Sequence, residues 1–264
     1  RVRPRQMESG HWLFRASRYQ CDSGKEVADA LLNALDKQPV DGDLVDVRNN
    51  PGGGTNASVE MASNFLDGGL VVYTQGRHPE SKTVLEAEPG ELLPDVPIVV
   101  MVNGGSASAS EIIAGALQDR GRAVIMGTRS FGKGSVQTVL PVSETKALKL
   151  TTSLYYTPNG RSIQAEGIVP DVVVERAQLT SLEQGRRLRE ADLNRSLKNT
   201  AEAQASETEE MASLREDDNQ LYEAFTLLKG INVYKRIDAK RSEVTASELA
   251  STDQTTEEVK ALNE

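Results

Sequence analysis

Cysteine and histidine are scarce in this sequence. Its 264 residues contain one cysteine, Cys21, and two histidines, His11 and His78. A single cysteine cannot form an internal disulfide, and no Cys-His arrangement surrounds it that would make it a nucleophile. No group of histidines or cysteines has the spacing of a metal site, so the sequence predicts neither a metal nor a cofactor.

Positive charge is also in short supply. The 30 lysines and arginines are outnumbered by 39 aspartates and glutamates, which gives a formal net charge of −9. Phosphate backbones are bound by clustered Lys and Arg, so we do not expect nucleic acid as a partner. No apolar run reaches the ~18 residues that a membrane-spanning helix needs.

Apolar residues are unevenly distributed along the chain. Most of the Val, Ile, Leu and Gly lie between Gly10 and Val174, whereas the chain after Glu175 is charged, rich in alanine and almost free of Gly and Pro. Such a shift in composition marks a domain boundary. We predict a core at residues 1–176 and a helical C-terminal region at 177–264. This region has one helix at 179–197 and a second that stops at Gly230, and roughly the last twenty residues form a loose polar tail.

Short β-forming runs alternate with helical patterns in the first domain. The periodicity predicts strands at 12–16, 44–47, 71–74, 97–102, 123–126, 136–140, 148–156 and 172–174, and helices at 25–37, 57–65 and 111–118. Strands that alternate with helices of this length favour an α/β layer structure. The late strands lack intervening helices, so we expect a mixed sheet.

Three segments rich in Gly and Ser follow apolar strands: RNNPGGG at 48–54, NGGSASASE at 103–111 and SFGKGSVQ at 130–137. Ligands in α/β sheets collect at the carboxyl ends of strands. Ser108 and Glu111 have the spacing of a helix-capping box. The alternative is that Ser108 is a nucleophile at the positive end of a helix, where free N–H groups stabilise an oxyanion.

Lys133 has glycine on both sides, which lets backbone or substrate approach closely. A lysine facing a pocket can act as a base, since burial favours the neutral amine. If this segment is a strand, Gln137 shares the face of Lys133 and can orient its amine. RNNPGGG is either a tight turn or one half of an oxyanion hole.

Four long motifs together resemble the C-terminal processing peptidases, or tail-specific proteases, of the S41 serine peptidase family: DVRNNPGG, NGGSASASEIIAGALQDRGRAVIMGT, SFGKGSVQTVLP and LKLTTSLYYTPNGRSIQAEGIVPDVVV. The resemblance covers about residues 10–174. It implies that Ser108 is the nucleophile, Lys133 the base and Gln137 its assistant. It further implies an oxyanion hole formed by the amide of Ala109 and that of Gly52 or Gly53.

The resemblance also implies a mixed-sheet fold related to ClpP and the crotonases, and a location in the bacterial cell envelope or periplasm. Family members cut proteins near their C-termini and admit the substrate as an extended strand. Two departures stand out: the PDZ domain that precedes this region in the family is absent from these residues, and Asp43 occupies a position that is usually apolar.

Two other functions compete with this interpretation. A catalytically silent binding or scaffold protein could be built on the same core, although Ser108, Lys133 and Gln137 are all present. A Ser-His-Asp hydrolase would need His11 or His78, and no GxSxG motif surrounds a serine. For the C-terminal helices we expect either packing against the core or a role in homo-oligomer assembly or adaptor docking.

Overall fold

The structure is a computed structural model that describes residues 2–8, 10–20, 22–180 and 209–261. Cys21 and nearly all of the helix predicted at 179–197 lie outside these ranges. In chain order the described elements are β1 (Val2–Glu8), β2 (His11–Ala16), α1 (Ser23–Leu35), β3 (Gly42–Asp46), α2 (Thr55–Ser63), β4 (Gly69–Gly76), β5 (Thr83–Ala87), β6 (Ile98–Val102), α3 (Ala109–Asp119), β7 (Val124–Gly127), β8 (Ser135–Ser143), β9 (Lys146–Tyr156), β10 (Val172–Val173), α4 (Glu209–Asp217) and α5 (Asn219–Ala261).

The larger sheet has six strands in the order β1-β2-β3-β6-β7-β10. β1 runs antiparallel to β2, and the other neighbours are parallel. The predicted mixed α/β fold is therefore confirmed. The strand orientations place the carboxyl ends of β3 and β6 side by side, and these ends lead directly into the RNNPGGG and NGGSASASE segments.

The smaller sheet has four antiparallel strands in the order β5-β4-β9-β8. β8 is its edge strand and begins two residues after Lys133. β8 and β9 form a long hairpin whose distal apolar side chains, such as Val142 and Leu148, are exposed. One edge of β8 is thus left without a neighbouring strand in the described part of the chain.

Helices cover both faces of the six-stranded sheet. Along β3, Val45 faces the cluster formed with α1, α2 and α3, whereas Leu44 faces the cluster formed with α5. β3 is fully buried, as expected for a central parallel strand with both faces covered. On α1, Val27, Leu31 and Ala34 recur at helical spacing and are buried.

The C-terminal helices pack back onto the core. Leu221, Phe225 and Leu228 of α5 are buried against β3, β6 and β7, together with Met211 of α4. The expectation that this region packs on the core is confirmed. None of the described helices combines the length and the apolar character that a bilayer crossing would require.

The predicted stop at Gly230 is wrong, because α5 continues through it to Ala261. A glycine inside a helix costs about 1 kcal/mol relative to alanine. The Leu, Lys, Glu and Ala residues around it are good helix formers and offset that cost. The polar stretch predicted as a loose tail is helical as far as Ala261, and the domain boundary near residue 176 stays a prediction.

Candidate active site

Ser108 lies at a strained junction between β6 and α3. Its backbone has φ 56° and ψ −111°, a positive φ that non-glycine residues rarely adopt. Such strain persists only where the surroundings impose it, and it is concentrated at functional sites. In the α/β-hydrolases, a strained strand-to-helix turn presents the nucleophilic serine.

The other two serines of the SASAS run have structural hydrogen bonds. Ser106 is buried, and its Oγ donates to the carbonyl of Val47 at 2.8 Å. Ser110 is also buried, and its Oγ donates to the carbonyl of Asn50 at 3.0 Å. Ser108 alone of the three is partly exposed. The structure therefore separates one accessible hydroxyl from two that hold the turn together.

The RNNPGGG segment lies directly against Ser108. The carbonyl of Asn50 accepts a hydrogen bond from the amide of Ala107 at 3.0 Å. Gly52 has φ 98°, and a Cβ on it would lie 2.9 Å from the nitrogen of Ala109 and 3.0 Å from Cβ of Ser108. Only glycine leaves this space open beside the serine.

The candidate oxyanion donors differ in their surroundings. Ala109 is the first residue of α3, so its N–H has no acceptor within the helix. The amide of Gly52 donates to Oδ1 of Asn50 at 2.9 Å and is engaged within its own turn. Gly53 forms a bridge to Tyr19, and a Cβ on Gly53 would lie only 2.0 Å from the carbonyl oxygen of Tyr19.

Glu111 connects the serine turn to the lysine segment. Its side chain is fully buried, and Oε2 accepts the backbone amides of Ser108 at 2.8 Å and Lys133 at 2.9 Å. Oε1 accepts the hydroxyl of Ser130 and the amide of Gly132, both at 2.6 Å. One carboxylate thus holds the backbones of Ser108 and Lys133 within two hydrogen-bond lengths of each other.

Lys133 itself precedes β8 and its side chain is exposed. The flanking glycines allow close packing, since a Cβ on Gly134 would lie 2.3 Å from the nitrogen of Gln164. Gln137 lies in β8 and is exposed. Lys133 and Gln137 were expected to lie on the same face of one strand, which requires the strand to include Lys133. However, β8 begins at Ser135, and its pairing with β9 shifts register after Val136.

The two histidines lie in different surroundings. His11 begins β2, at the end opposite the carboxyl ends of β3 and β6, and stacks edge-on against Phe225. His78 is exposed in the turn after β4, where its carbonyl accepts the hydroxyl of Ser81. Among the residues that the structure describes, no group of His, Cys, Asp and Glu side chains could hold a metal ion.

In this α/β core a strained serine lies at the start of a helix, which is similar to the way α/β-hydrolases present their nucleophile. The chain belongs to peptidase family S41, whose family model matches residues 12–174.

Two curated relatives are similar to most of this chain. A carboxy-terminal-processing protease of Bartonella bacilliformis is 45% identical over 208 residues, which are 76% of this chain and 48% of that protein. A carboxyl-terminal-processing protease of Synechocystis is 41% identical over 64% of this chain and 39% of its own length. The chain therefore spans half or less of the length of these relatives.

Two solved structures share the fold of this chain. The photosystem II D1 C-terminal processing protease superposes with a TM-score of 0.58 at 35% identity, over 62% of this chain and 42% of that one. A lipoprotein from Streptococcus agalactiae has the same fold, with a TM-score of 0.54 at 20% identity over 66% of this chain and 65% of that one.

Sequence reasoning missed the part that Glu111 plays. The spacing Ser108 to Glu111 indicated a helix cap, and the amide of Ser108 does donate to the Glu111 carboxylate. The bonds to Ser130, Gly132 and Lys133 join residues about 20 positions apart, and no local pattern reports them. The available signal was a charged residue inside an otherwise apolar helix.

Proposed function

We propose that this chain is the catalytic core of a serine endopeptidase in which Ser108 is the nucleophile and Lys133 the base. The observation that carries the proposal is the strained, partly exposed Ser108 at the start of α3, joined through Glu111 to the backbone of Lys133. Membership of peptidase family S41 and the names of the relatives support the same activity.

In the proposed reaction the neutral amine of Lys133 takes the proton of the Ser108 hydroxyl while Oγ attacks the scissile carbonyl. The amide of Ala109 stabilises the oxyanion, with Gly52 or Gly53 as the second donor. Gln137 orients the lysine, a role that is proposed from the family resemblance and not from strand alternation. Lys133 then protonates the departing amine, and a water molecule hydrolyses the acyl-enzyme by the same steps in reverse order.

Two features of the geometry bear on this reaction. The amide of Gly52 must leave Oδ1 of Asn50 before it can serve the oxyanion, so the turn has to adjust when substrate binds. Lys133 is exposed, so a bound polypeptide has to cover it in order to favour the neutral amine. Substrate binding would thus complete the site.

We propose protein or peptide substrates that bind as an extended strand and are cut near their C-termini. The edge strand β8 starts beside Lys133 and offers unpaired backbone groups for such pairing. Backbone pairing reads few side chains, so the cleavage preference should be broad. We further propose a location in the cell envelope, as the family resemblance implies.

The test is labelling and hydrolysis by the purified 264-residue chain. A fluorophosphonate probe should modify Ser108, and a chromogenic peptide should be cleaved. Ser108→Ala should abolish both signals, while Ser110→Ala, which loses only a buried structural hydroxyl, should keep a measurable rate. Ser106→Ala should also stay active when assayed well below its unfolding temperature.

Two results would contradict this assignment. Hydrolysis by a correctly folded Ser108→Ala variant would mean that another group is the nucleophile. A folded chain that neither reacts with the probe nor cleaves peptides would instead favour a catalytically silent scaffold built on a protease core. Circular dichroism of each variant separates loss of chemistry from loss of fold.

The C-terminal helices give rise to a second proposal, homo-oligomer assembly or adaptor docking. The inner face of α5 is occupied by the core, so such a contact has to use its outer face, where Val233, Tyr234 and Ile237 are exposed. Tyr234→Asp combined with Ile237→Asp should lower the apparent mass in light scattering if this face joins two copies. A monomeric parent chain would refute self-association through it.

A further inference from the structure

Arg48 connects the start of α5 to the candidate active-site turn. Its guanidinium lies between two carboxylates, with Nε 3.0 Å and Nη2 2.9 Å from the oxygens of Asp46. On its other side Nη1 and Nη2 each donate to an oxygen of Asp218 at 2.7 Å. Arg15 completes the cluster, with Nε 2.8 Å from Asp46. We call these four residues the Arg48 clasp.

Arg48 and Asp46 are the buried part of the clasp. The side chains of Asp46, Arg48 and Asp218 are 2%, 10% and 27% exposed, whereas that of Arg15 is 48% exposed. Burial alone would raise the pKa of Asp218, but the hydrogen bonds and charge of Arg48 outweigh it and hold that pKa below its usual value. Bidentate Arg–carboxylate pairs in such surroundings fix geometry as well as contributing energy.

The first residues of α5 fix Asp218 in place. Asn219 accepts the amide of Ala177 at 2.9 Å and donates to the carbonyl of Glu175 at 2.9 Å. Gln220 donates to the carbonyl of Val174 at 2.7 Å. These bonds attach the start of α5 to the chain that follows β10, so Asp218 is a fixed point rather than a mobile surface carboxylate.

A short path leads from Arg48 to the nucleophile. Asn50 follows two residues later, accepts the amides of Ala107 and Gly52, and donates to the carbonyl of Ala16 at 2.7 Å. Gly52 lies against Ser108 and Ala109. A shift of the Arg48 backbone therefore reaches the proposed oxyanion donors within four residues. A displacement of about 1 Å at a reacting group can cost about 100-fold in rate.

We propose that Asp218 is a positioning residue for the active site, acting through Arg48 on the turn that carries Asn50 and Gly52. The C-terminal helices would then help to hold the turn beside Ser108 in place. The inference rests on the proposed peptidase activity of Ser108 and Lys133. It concerns a residue outside the 12–174 segment that the family model matches.

The test is Asp218→Asn in the full 264-residue chain. Asparagine keeps the size and the ability to cap α5, where Oδ1 of Asp218 accepts the amide of Leu221 at 3.1 Å. It cannot accept two hydrogen bonds from Arg48 through two oxygens. We expect kcat for a chromogenic peptide to fall about 10-fold with KM unchanged, because the turn is displaced and the peptide-binding strand is not.

Two control variants separate positioning from general destabilisation. Asp217→Asn removes the same charge from the neighbouring residue, whose carboxylate accepts Ser213 rather than Arg48, and should leave kcat unchanged. Leu228→Ala loosens the packing of α5 without touching the clasp. It should lower the unfolding temperature but leave kcat unchanged at a temperature where the chain stays folded.

Hydrogen exchange gives a readout that does not depend on activity. The amide of Gly52 is protected by Asn50 in this structure, and Asp218→Asn should speed its exchange while Asp217→Asn does not. If the parent chain is active and Asp218→Asn has normal kcat, the inference is wrong. If the parent chain has no activity, the proposed function fails, and hydrogen exchange still tests the positioning role. Unchanged exchange of the Gly52 amide in Asp218→Asn would then overturn that role.

Discussion

Asp43 lies in the central strand β3 with its carboxylate fully buried on the face covered by α1 and α2. Its strand neighbour is Trp12 of β2, and neither carboxylate oxygen has a hydrogen-bond partner among the described residues. Burial raises the pKa of this side chain from its usual 3.8 to about 8. The backbone N–H of Leu44, which lies nearby but outside hydrogen-bond geometry, and the charge of Arg122 lower this pKa by less than burial raises it.

The raised pKa makes the stability of the protein depend on pH. Between pH 4 and pH 8 the folded chain keeps a proton on Asp43 that the unfolded chain releases, so stability falls as the pH rises. Each pH unit lowers the free energy of unfolding by about 1.4 kcal/mol at most. Between pH 4 and pH 7 the loss is therefore at most on the order of 4 kcal/mol. Asp43→Asn keeps the shape and abolishes the titration.

We therefore expect Asp43→Asn to match the parent chain near pH 4 and to be more stable by several kcal/mol near pH 8. The assay is urea denaturation from pH 4 to pH 8, followed by circular dichroism and by the fluorescence of Trp12, the single tryptophan. Asp29→Asn, on the exposed face of α1, should keep the parent's pH dependence. Parallel stability curves for Asp43→Asn and the parent would refute the reasoning.

Three further predictions concern the site and its support. Lys133→Arg should lose turnover while remaining folded, because a guanidinium keeps its proton; hydrolysis near the normal rate would exclude Lys133 as the base. Glu111→Gln should lower both activity and stability, the latter by about 1–3 kcal/mol in thermal unfolding, because a buried amide cannot accept all four donors. Normal activity in that variant would show that Glu111 does not hold the two segments. Leu228→Ala should cost about 2–5 kcal/mol in urea denaturation, and Ile237→Ala less than about 0.5; equal effects would contradict the packing of α5.

Local patterns were sufficient to locate most strands and helices. β3 and β6 were predicted because their residues form short apolar runs, and α1 because apolar residues, among them Val27, Leu31 and Leu35, recur at helical spacing. β1 was not predicted, since it contains Pro4 and charged residues. It forms as an edge strand by pairing with β2, a long-range contact that propensity does not encode.

The sequence by itself determined the α/β class, the three glycine- and serine-rich segments and the identity of Ser108, Lys133 and Gln137 as candidates. The class and the segments follow from spacing and residue type, and the choice of the three residues follows from the resemblance of their motifs to the family. Only the tertiary structure shows that Ser106 and Ser110 are buried and hydrogen-bonded while Ser108 is partly exposed, because burial depends on what packs against each hydroxyl. Likewise, only folding brings Glu111 to the backbone of Lys133 and Asp218 to Arg48. The partners are far apart in sequence, so no local pattern reports these contacts.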